Sequence, residues 1–274
     1  MQHIAASDST DGATAQALPP RGAPPAQRPG SGVMFDGIAR RYDALNRLMS
    51  FGLDRLWRRR AVTACALSSG SRVLDLATGT GDVALEILRQ QPETSVVGLD
   101  PSTQMLAIGR DKVDAAGLTD RITLQPGEAE TLPFDDNQFD AAIIAWGIRN
   151  VADRPGGLRE MARVVRPNGR IVILESVEPT SGLLAPFARF YLHHVVPRLG
   201  AWLSREKAYR YLQTSIAAFP SPPEFSLMMT QAGLEVLEVR PQTFGVCCVF
   251  VARPAEGAPS AQPAPTQPPQ GGAN

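Results

Sequence analysis

Residues 73–87 read "VLDLATGTGDVALEI". The stretch opens on large apolar residues, breaks at Gly79 and Gly81, and resumes with helical spacing. A strand, a glycine-rich turn and a helix in that order form the first unit of an α/β fold. The two glycines let the chain reverse sharply and let a ligand approach the backbone with no Cβ in its way.

The pattern repeats on both sides of this unit. Strand-like runs at residues 72–76, 96–100, 122–125, 139–145 and 170–175 alternate with helical patterns at 82–90, 102–116 and 154–165. That alternation predicts an α/β, Rossmann-like fold with a seven-stranded, mostly parallel sheet covered on both faces. Ser102 is placed to cap one helix, and Pro167-Asn168-Gly169 to stop another before the fifth strand. Runs at 234–239 and 244–252, separated by Arg240-Pro241-Gln242-Thr243, predict an antiparallel hairpin on the sheet edge. Helical patterns at 183–196 and 204–219 are additional to a plain doubly wound sheet and predict inserted helices, about 183–219, over the mouth of the site. Residues 1–31 and 255–274 are rich in Pro, Ala and Gly and poor in large apolar side chains. They cannot bury enough surface to offset ordering entropy, so both tails are expected to be disordered, leaving 32–254 as one folded domain.

The formal net charge is zero, so no strong field calls for nucleic acid. Cys65, Cys247 and Cys248 form neither a disulfide framework nor a metal-ligand spacing, and read as buried thiols in a reducing compartment. No apolar run reaches the roughly 20 residues that span a bilayer, and the N-terminus lacks a secretory pattern. The expected location is the cytoplasm, with peripheral contact at the inner face of a membrane as a further option.

The spacing Gly79-x-Gly81-x-x-Ala84, with Asp100 downstream, also satisfies the loose dinucleotide fingerprint. Three features favour S-adenosylmethionine instead. Asp75 ends the first strand, where a carboxylate can receive an amino group but would repel a pyrophosphate. Asp100 closes the second strand, placed to accept both hydroxyls of a ribose. Leu132, Pro133 and Phe134 after the third strand offer an apolar wall for an adenine. A nicotinamide enzyme would also need a hydride-transfer constellation, and the chain has no Tyr-x-x-x-Lys. The competing structural readings are a plain tight turn for the glycines, a helix cap for Asp100, a brace for loop amides for Asp75, and a solvated surface acid for Glu128.

"MFDGIARRYDALNRLMSFGLDRLWRR" (residues 34–59), "DLATGTGD" (75–82), "WGIRNV" (146–151) and "YRYLQTSIAAFP" (209–220) together resemble the ubiquinone/menaquinone-biosynthesis C-methyltransferase family. The similarity runs from about residue 33 to 251, and the first and last motifs are far more specific than the glycine loop. The resemblance implies methyl transfer from S-adenosylmethionine to a ring carbon of a prenylated quinol, either demethylmenaquinol or 2-polyprenyl-6-methoxy-1,4-benzoquinol. It places donor contacts on Thr80, Asp100, Glu128, Ala129 and Ala145. The chain departs from the family at Trp146, where many members carry phenylalanine, at Ala145 and Glu128, and at Glu175-Ser176-Val177-Glu178-Pro179, where "EFSKP" is common.

In that chemistry a quinol hydroxyl loses its proton, charge spreads onto the adjacent ring carbon, and that carbon attacks the methyl. A phenol titrates at about 10, so a fixed cation raises the reactive fraction. Arg149, just past the fourth strand, is the candidate for that charge, and Asn150 for orienting the second hydroxyl. The alternative for Arg149 is an ion pair with Asp153 or Asp43 that braces the loop. Tyr42 is a candidate to close over the donor, against a core aromatic. His194 is the candidate base on the inserted helix, against a surface histidine. Leu183, Leu184, Phe187, Phe190 and Tyr191 suit an interfacial helix, and Arg55, Arg58, Arg59 and Arg60 suit anionic lipid. Partners to weigh are the quinol itself, a homodimer and a quinone-biosynthesis complex. The rival functions are a small-molecule O- or N-methyltransferase, a dinucleotide oxidoreductase, and a noncatalytic member of a quinone-synthesis complex.

Overall fold

The computed structural model describes residues 36, 39–178 and 214–256. The expected N-terminal tail, the C-terminal tail beyond residue 256, most of the expected inserted helices and His194 lie outside the described residues, as does the side chain of Tyr42.

Helices α1 (Ala39–Met49) and α2 (Leu53–Ala64) precede the sheet. The chain then alternates β1 (Arg72–Leu76), α3 (Asp82–Gln90), β2 (Ser95–Asp100), α4 (Thr103–Ala115), β3 (Ile122–Pro126), β4 (Phe139–Ala145), α5 (Arg154–Val164) and β5 (Val165–Ser176). It ends with α6 (Pro222–Gln231), β6 (Leu234–Gln242) and β7 (Cys247–Pro254). The strands form one sheet in the order β3-β2-β1-β4-β5-β7-β6. The five strands from β3 to β5 run parallel, and β7 pairs antiparallel with both β5 and β6.

The strands are apolar on successive residues because each face is covered by helices. Leu74, Ala142, Ile144, Ile173 and Phe250 point to the face packed by Leu158 and Met161 of α5 and Phe225 of α6. Their sequence neighbours Val73, Ala141, Ile143, Val172 and Val249 point to the other face, against Trp57, Ala61, Ile87 and Leu106 from α2, α3 and α4. Phe250 and Phe225 meet edge-on, with ring centroids 5.0 Å apart. Ser102 caps α4 as expected, its Oγ accepting from the Met105 amide at 3.1 Å.

Two expected breaks fall elsewhere. Pro167-Asn168-Gly169 does not separate α5 from a later strand, because β5 already begins at Val165, paired with Phe139. The extra residues are absorbed as an irregularity before the next pair, Ala141 with Arg170. Nor does the chain turn at Arg240-Pro241-Gln242-Thr243. β6 continues to Gln242, and Pro241 faces Cys248. Proline is tolerated there because β6 is the edge strand, where its missing N–H costs no ladder bond. The reversal is made instead by Thr243–Gly245, with Phe244 at φ 58°.

Cys65, Cys247 and Cys248 are buried free thiols, and burial pushes Cys248 up to about 11. Among the described residues no helix is long and apolar enough to cross a membrane.

Candidate active site

Parallel strands bring their carboxyl ends to one edge, and the loops leaving that edge build the site. Gly79 and Gly81 follow β1 with φ of 56° and 79°, a region closed to most other residues. Beyond its own turn nothing crowds Gly79: the nearest atom to a Cβ built there is the Ala77 carbonyl oxygen, 4.0 Å away. The loop is tied to β2, since the Thr78 amide donates to the Leu99 carbonyl at 2.9 Å and the Gly79 amide to Asp100 Oδ2 at 2.8 Å.

Asp100 lies at the strand end with 7% of its surface exposed. Its Oδ1 accepts from the Ser102 amide at 2.8 Å. Each oxygen therefore holds one amide, and a carboxylate has about four acceptor positions, so capacity remains for two ribose hydroxyls. Burial raises the Asp100 pKa and the nearby Asp36 adds to it, while the two amide bonds work the other way. The cap of α4 is Ser102 rather than Asp100, whose carboxylate instead ties the glycine turn to the residue that caps the helix.

Asp75 lies near the end of β1. Its carboxylate is wholly buried beneath the loop, with Oδ2 accepting from Thr78 Oγ1 at 2.5 Å. Through that bond Asp75 braces the loop, while its other oxygen, Oδ1, has no hydrogen-bond partner among the described residues. Burial pushes its carboxyl up to about 7, helped by Asp100 and opposed by the Thr78 bond and Arg58. A folded value raised above 3.8 means its contribution to stability is complete at acid pH and lost as pH rises through 7. Asp75→Asn keeps an acceptor for Thr78 and removes the buried charge. It is expected to raise the unfolding midpoint of ligand-free protein at pH 8 by roughly 2–4 °C, about 1 kcal/mol, with no gain near pH 4. Thermal melts across that range check the sign.

Thr80 is almost fully buried, and its hydroxyl belongs to a polar knot. It donates to Asp43 of α1 at 2.8 Å and accepts from Lys112 of α4 at 2.9 Å. Lys112 also reaches Asp43 at 2.5 Å and Asp82 at 2.7 Å. Burial raises the Asp82 carboxyl, but Arg58 and Lys112 outweigh that and hold it below its usual range. Asp36 adds a second tie to the next loop, accepting from Ser102 Oγ and from the Gln104 amide. Asp43 and Asp36 thereby fasten the N-terminal segment to the loops that follow β1 and β2. Glu128 is exposed and Ala129 half-buried. Of the residues expected to wall an adenine, Leu132 turns into the core, Phe134 is half-buried edge-on against Phe139 at 4.9 Å, and Pro133 is exposed.

Ala145 ends β4, half-buried, and the chain then passes through Trp146 at φ 55°. Ala77, on the glycine loop, has φ 50°. Such strained non-glycine residues cost about 1–2 kcal/mol each and persist only where packing enforces them. The Arg58 guanidinium lies 5.8 Å from the Trp146 ring centroid, and the Trp146 amide donates to the Leu174 carbonyl at 2.7 Å. A Cβ on Gly147 would fall 2.4 Å from that of Ala77, so the two loops are in contact through the absence of a side chain. Gly147→Ala must force them apart, with an expected loss of about 1–3 kcal/mol in denaturant unfolding.

A short 3₁₀ turn, Ile148–Asn150, follows. Arg149 is 8% exposed. Its partner is neither Asp153 nor Asp43 but Glu175 at the end of β5, which receives both the guanidinium and, at 3.3 Å, the backbone amide. Asp153 instead caps α5, accepting from the Gly156 amide at 2.9 Å. The expected fixed cation is therefore half of a buried pair. Asn150 is half-buried on the same turn. Of the arginines matched to lipid, Arg58 is engaged by Asp54, Asp82 and Trp146, and Arg60 by Gln242, while Arg55 and Arg59 are exposed. Glu175, Lys112 and Asp36 are not singled out by the sequence as site residues, and Asp43 only as a partner for Arg149. A charge closing the otherwise apolar "IVILE" was the available signal for Glu175, because a buried acid needs a cation.

The glycine turn, the Asp100 carboxylate and the polar turn after β4 share one sheet edge, and the family match identifies the protein as a Rossmann-like, S-adenosylmethionine-dependent methyltransferase. The profile of the ubiE/COQ5 methyltransferase family matches residues 27–253, and the chain belongs to that family. It is 50% identical over 218 residues, 79% of this chain and 85% of the relative, to the Geobacter sulfurreducens protein named ubiquinone/menaquinone biosynthesis C-methyltransferase UbiE. It is 47% identical over 219 residues, 80% of this chain and 98% of the relative, to the demethylmenaquinone methyltransferase of Thermus thermophilus. A crystal structure of a SAM-dependent methyltransferase from Aquifex aeolicus superposes with a TM-score of 0.57 at 19% identity, over 79% of this chain and 97% of that one. The [4+2]-cyclase SpnF reaches a TM-score of 0.63, also at 19% identity, over 85% of this chain and 99% of that one. The same fold thus carries unlike chemistries, and the acceptor has to be argued from the site.

Proposed function

We propose that the protein methylates a ring carbon of a prenylated quinol, with demethylmenaquinol as acceptor and menaquinol as product. The observation that carries this reading is the Arg149–Asn150 turn, set at the same sheet edge as the glycine loop and Asp100. Support for the acceptor comes from the relatives named for ubiquinone/menaquinone biosynthesis and for demethylmenaquinone.

The donor supplies an electrophilic methyl carbon bound to sulfonium. Asp100 accepts the ribose hydroxyls, and the glycine turn leaves room for the donor beside β1. Holding the reactants in line removes much of the entropic barrier, several kcal/mol by general experience. On the acceptor side Arg149 stabilises the phenolate, and Asn150 orients the second hydroxyl. The ring carbon bonds to the methyl as the carbon–sulfur bond breaks, and the carbon then loses its proton so that the ring regains aromaticity. Contact with a membrane through Arg55, Arg59 and the exposed Leu56 would deliver the apolar acceptor. Failure to co-sediment with anionic vesicles would remove that part.

A second acceptor, 2-polyprenyl-6-methoxy-1,4-benzoquinol, is favoured by the broader name of the Geobacter relative. Comparing kcat/KM for short-chain forms of the two quinols separates them. The proposal expects a preference of about tenfold or more for the naphthoquinol, a margin a single pocket can supply. The opposite preference assigns the enzyme to the benzoquinol.

A further inference from the structure

Arg149 and Glu175 stand 26 positions apart in the chain, yet adjacent strands bring them together. β4 and β5 run in register through Ala145 with Leu174, so the residue after Leu174 lies beside the turn that leaves β4. Glu175 has no exposed surface. Its carboxylate receives three donors: the Arg149 guanidinium, the Arg149 amide and the Ser176 amide at 2.8 Å. Arg154 completes the frame from α5, donating to the Arg149 carbonyl at 2.9 Å. Behind the pair lies the buried Cys247, whose thiol interacts with the Trp146 indole and sits in the field of both Glu175 and Arg149. Arg58 covers the Trp146 ring. Arg154 and Arg58 thus both touch the Trp146–Asn150 turn.

We propose that Glu175 is a positioning residue for methyl transfer, holding Arg149 by side chain and backbone at once so that one guanidinium geometry meets the acceptor. A carboxylate with no exposed surface and three donors does not reach substrate, so proton removal is not its role. A flexible arginine left to itself samples many rotamers, and charge stabilisation depends on a donor held where charge develops. Glu175 also fixes the strength of the field. The pair carries no net charge before the acceptor ionises, so a neutral quinol does not enter beside an isolated buried cation.

The inference rests on Arg149 acting on the acceptor. Its test is the kinetics of Glu175→Gln and Glu175→Asp, with donor affinity measured by titration calorimetry. Donor affinity is expected to stay within about threefold of wild type, while kcat falls about tenfold or more and KM for the quinol changes little. In Glu175→Gln the acid limb of the kcat profile moves to lower pH, because the uncompensated guanidinium favours the phenolate more strongly. In Glu175→Asp, which keeps the charge, the limb stays in place. Should Glu175→Gln fail to fold, the kcat loss in Glu175→Asp carries the test, and wild-type turnover there overturns the proposal. A mutant cycle completes it: in an Arg149→Ala background, Glu175→Gln lowers the residual single-turnover rate no further. An equal loss with and without Arg149 overturns the positioning role. Wild-type turnover in Arg149→Ala itself sinks the assignment of Arg149 to the acceptor instead.

Discussion

Arg149→Ala is expected to bind S-adenosylmethionine within about threefold of wild type and to lose at least about 100-fold in kcat, the scale on which one preorganised electrostatic contact acts. Donor binding survives because the glycine loop and Asp100 owe none of their hydrogen bonds to Arg149. Turnover falls because the phenolate loses its fixed cation. The same substitution strands Glu175, a buried carboxylate, and breaking such a pair from one side costs about 3–5 kcal/mol. Stability and catalysis are separable here. The double variant Arg149→Ala, Glu175→Gln removes the stranded charge and is expected to recover most of the stability and none of the turnover. Parallel unfolding and single-turnover measurements on the two variants decide the matter. Turnover that returned with stability would mean that Arg149 serves only the fold.

Asp100→Ala is expected to weaken donor binding by about 100-fold or more, since two charge-assisted hydrogen bonds are lost together. It also leaves the Gly79 and Ser102 amides without their acceptor, loosening the glycine turn and the start of α4. A drop in unfolding midpoint should accompany the binding loss, unlike Asp75→Asn, where the midpoint rises at pH 8. Calorimetric titration of both variants separates the two acids. A larger affinity loss in Asp75→Asn than in Asp100→Ala would reverse their roles and require the buried carboxylate to open onto the donor.

The sheet was legible because short apolar runs alternating with helical patterns are a local signal. Val73 and Leu74 go to opposite faces by chain geometry alone. The misplaced breaks have local causes too. Pro241 reads as a turn residue, yet on an edge strand it interrupts nothing. In the site, Gly79, Gly81 and Asp100 were readable because a tight turn and a strand-end acid each need one residue type at one position. The burial of Asp75 was not, because sequence does not say on which side of a loop a carboxylate lies. The Arg149–Glu175 pair required the strand order: only the adjacency of β4 and β5 brings the two together. Thr80 belongs to the same class, its hydroxyl already committed to Asp43 and Lys112 from distant helices.

The central claim is carbon methylation of a quinol on the edge shared by the glycine loop and the Arg149 turn. Its most direct measurement is product analysis by NMR after incubating the protein with short-chain demethylmenaquinol and donor carrying an isotopically labelled methyl group. The account predicts label on the ring carbon in wild type, and none above background in Arg149→Ala. Label on a quinol oxygen, or no labelled product from protein shown to bind the donor, would contradict it.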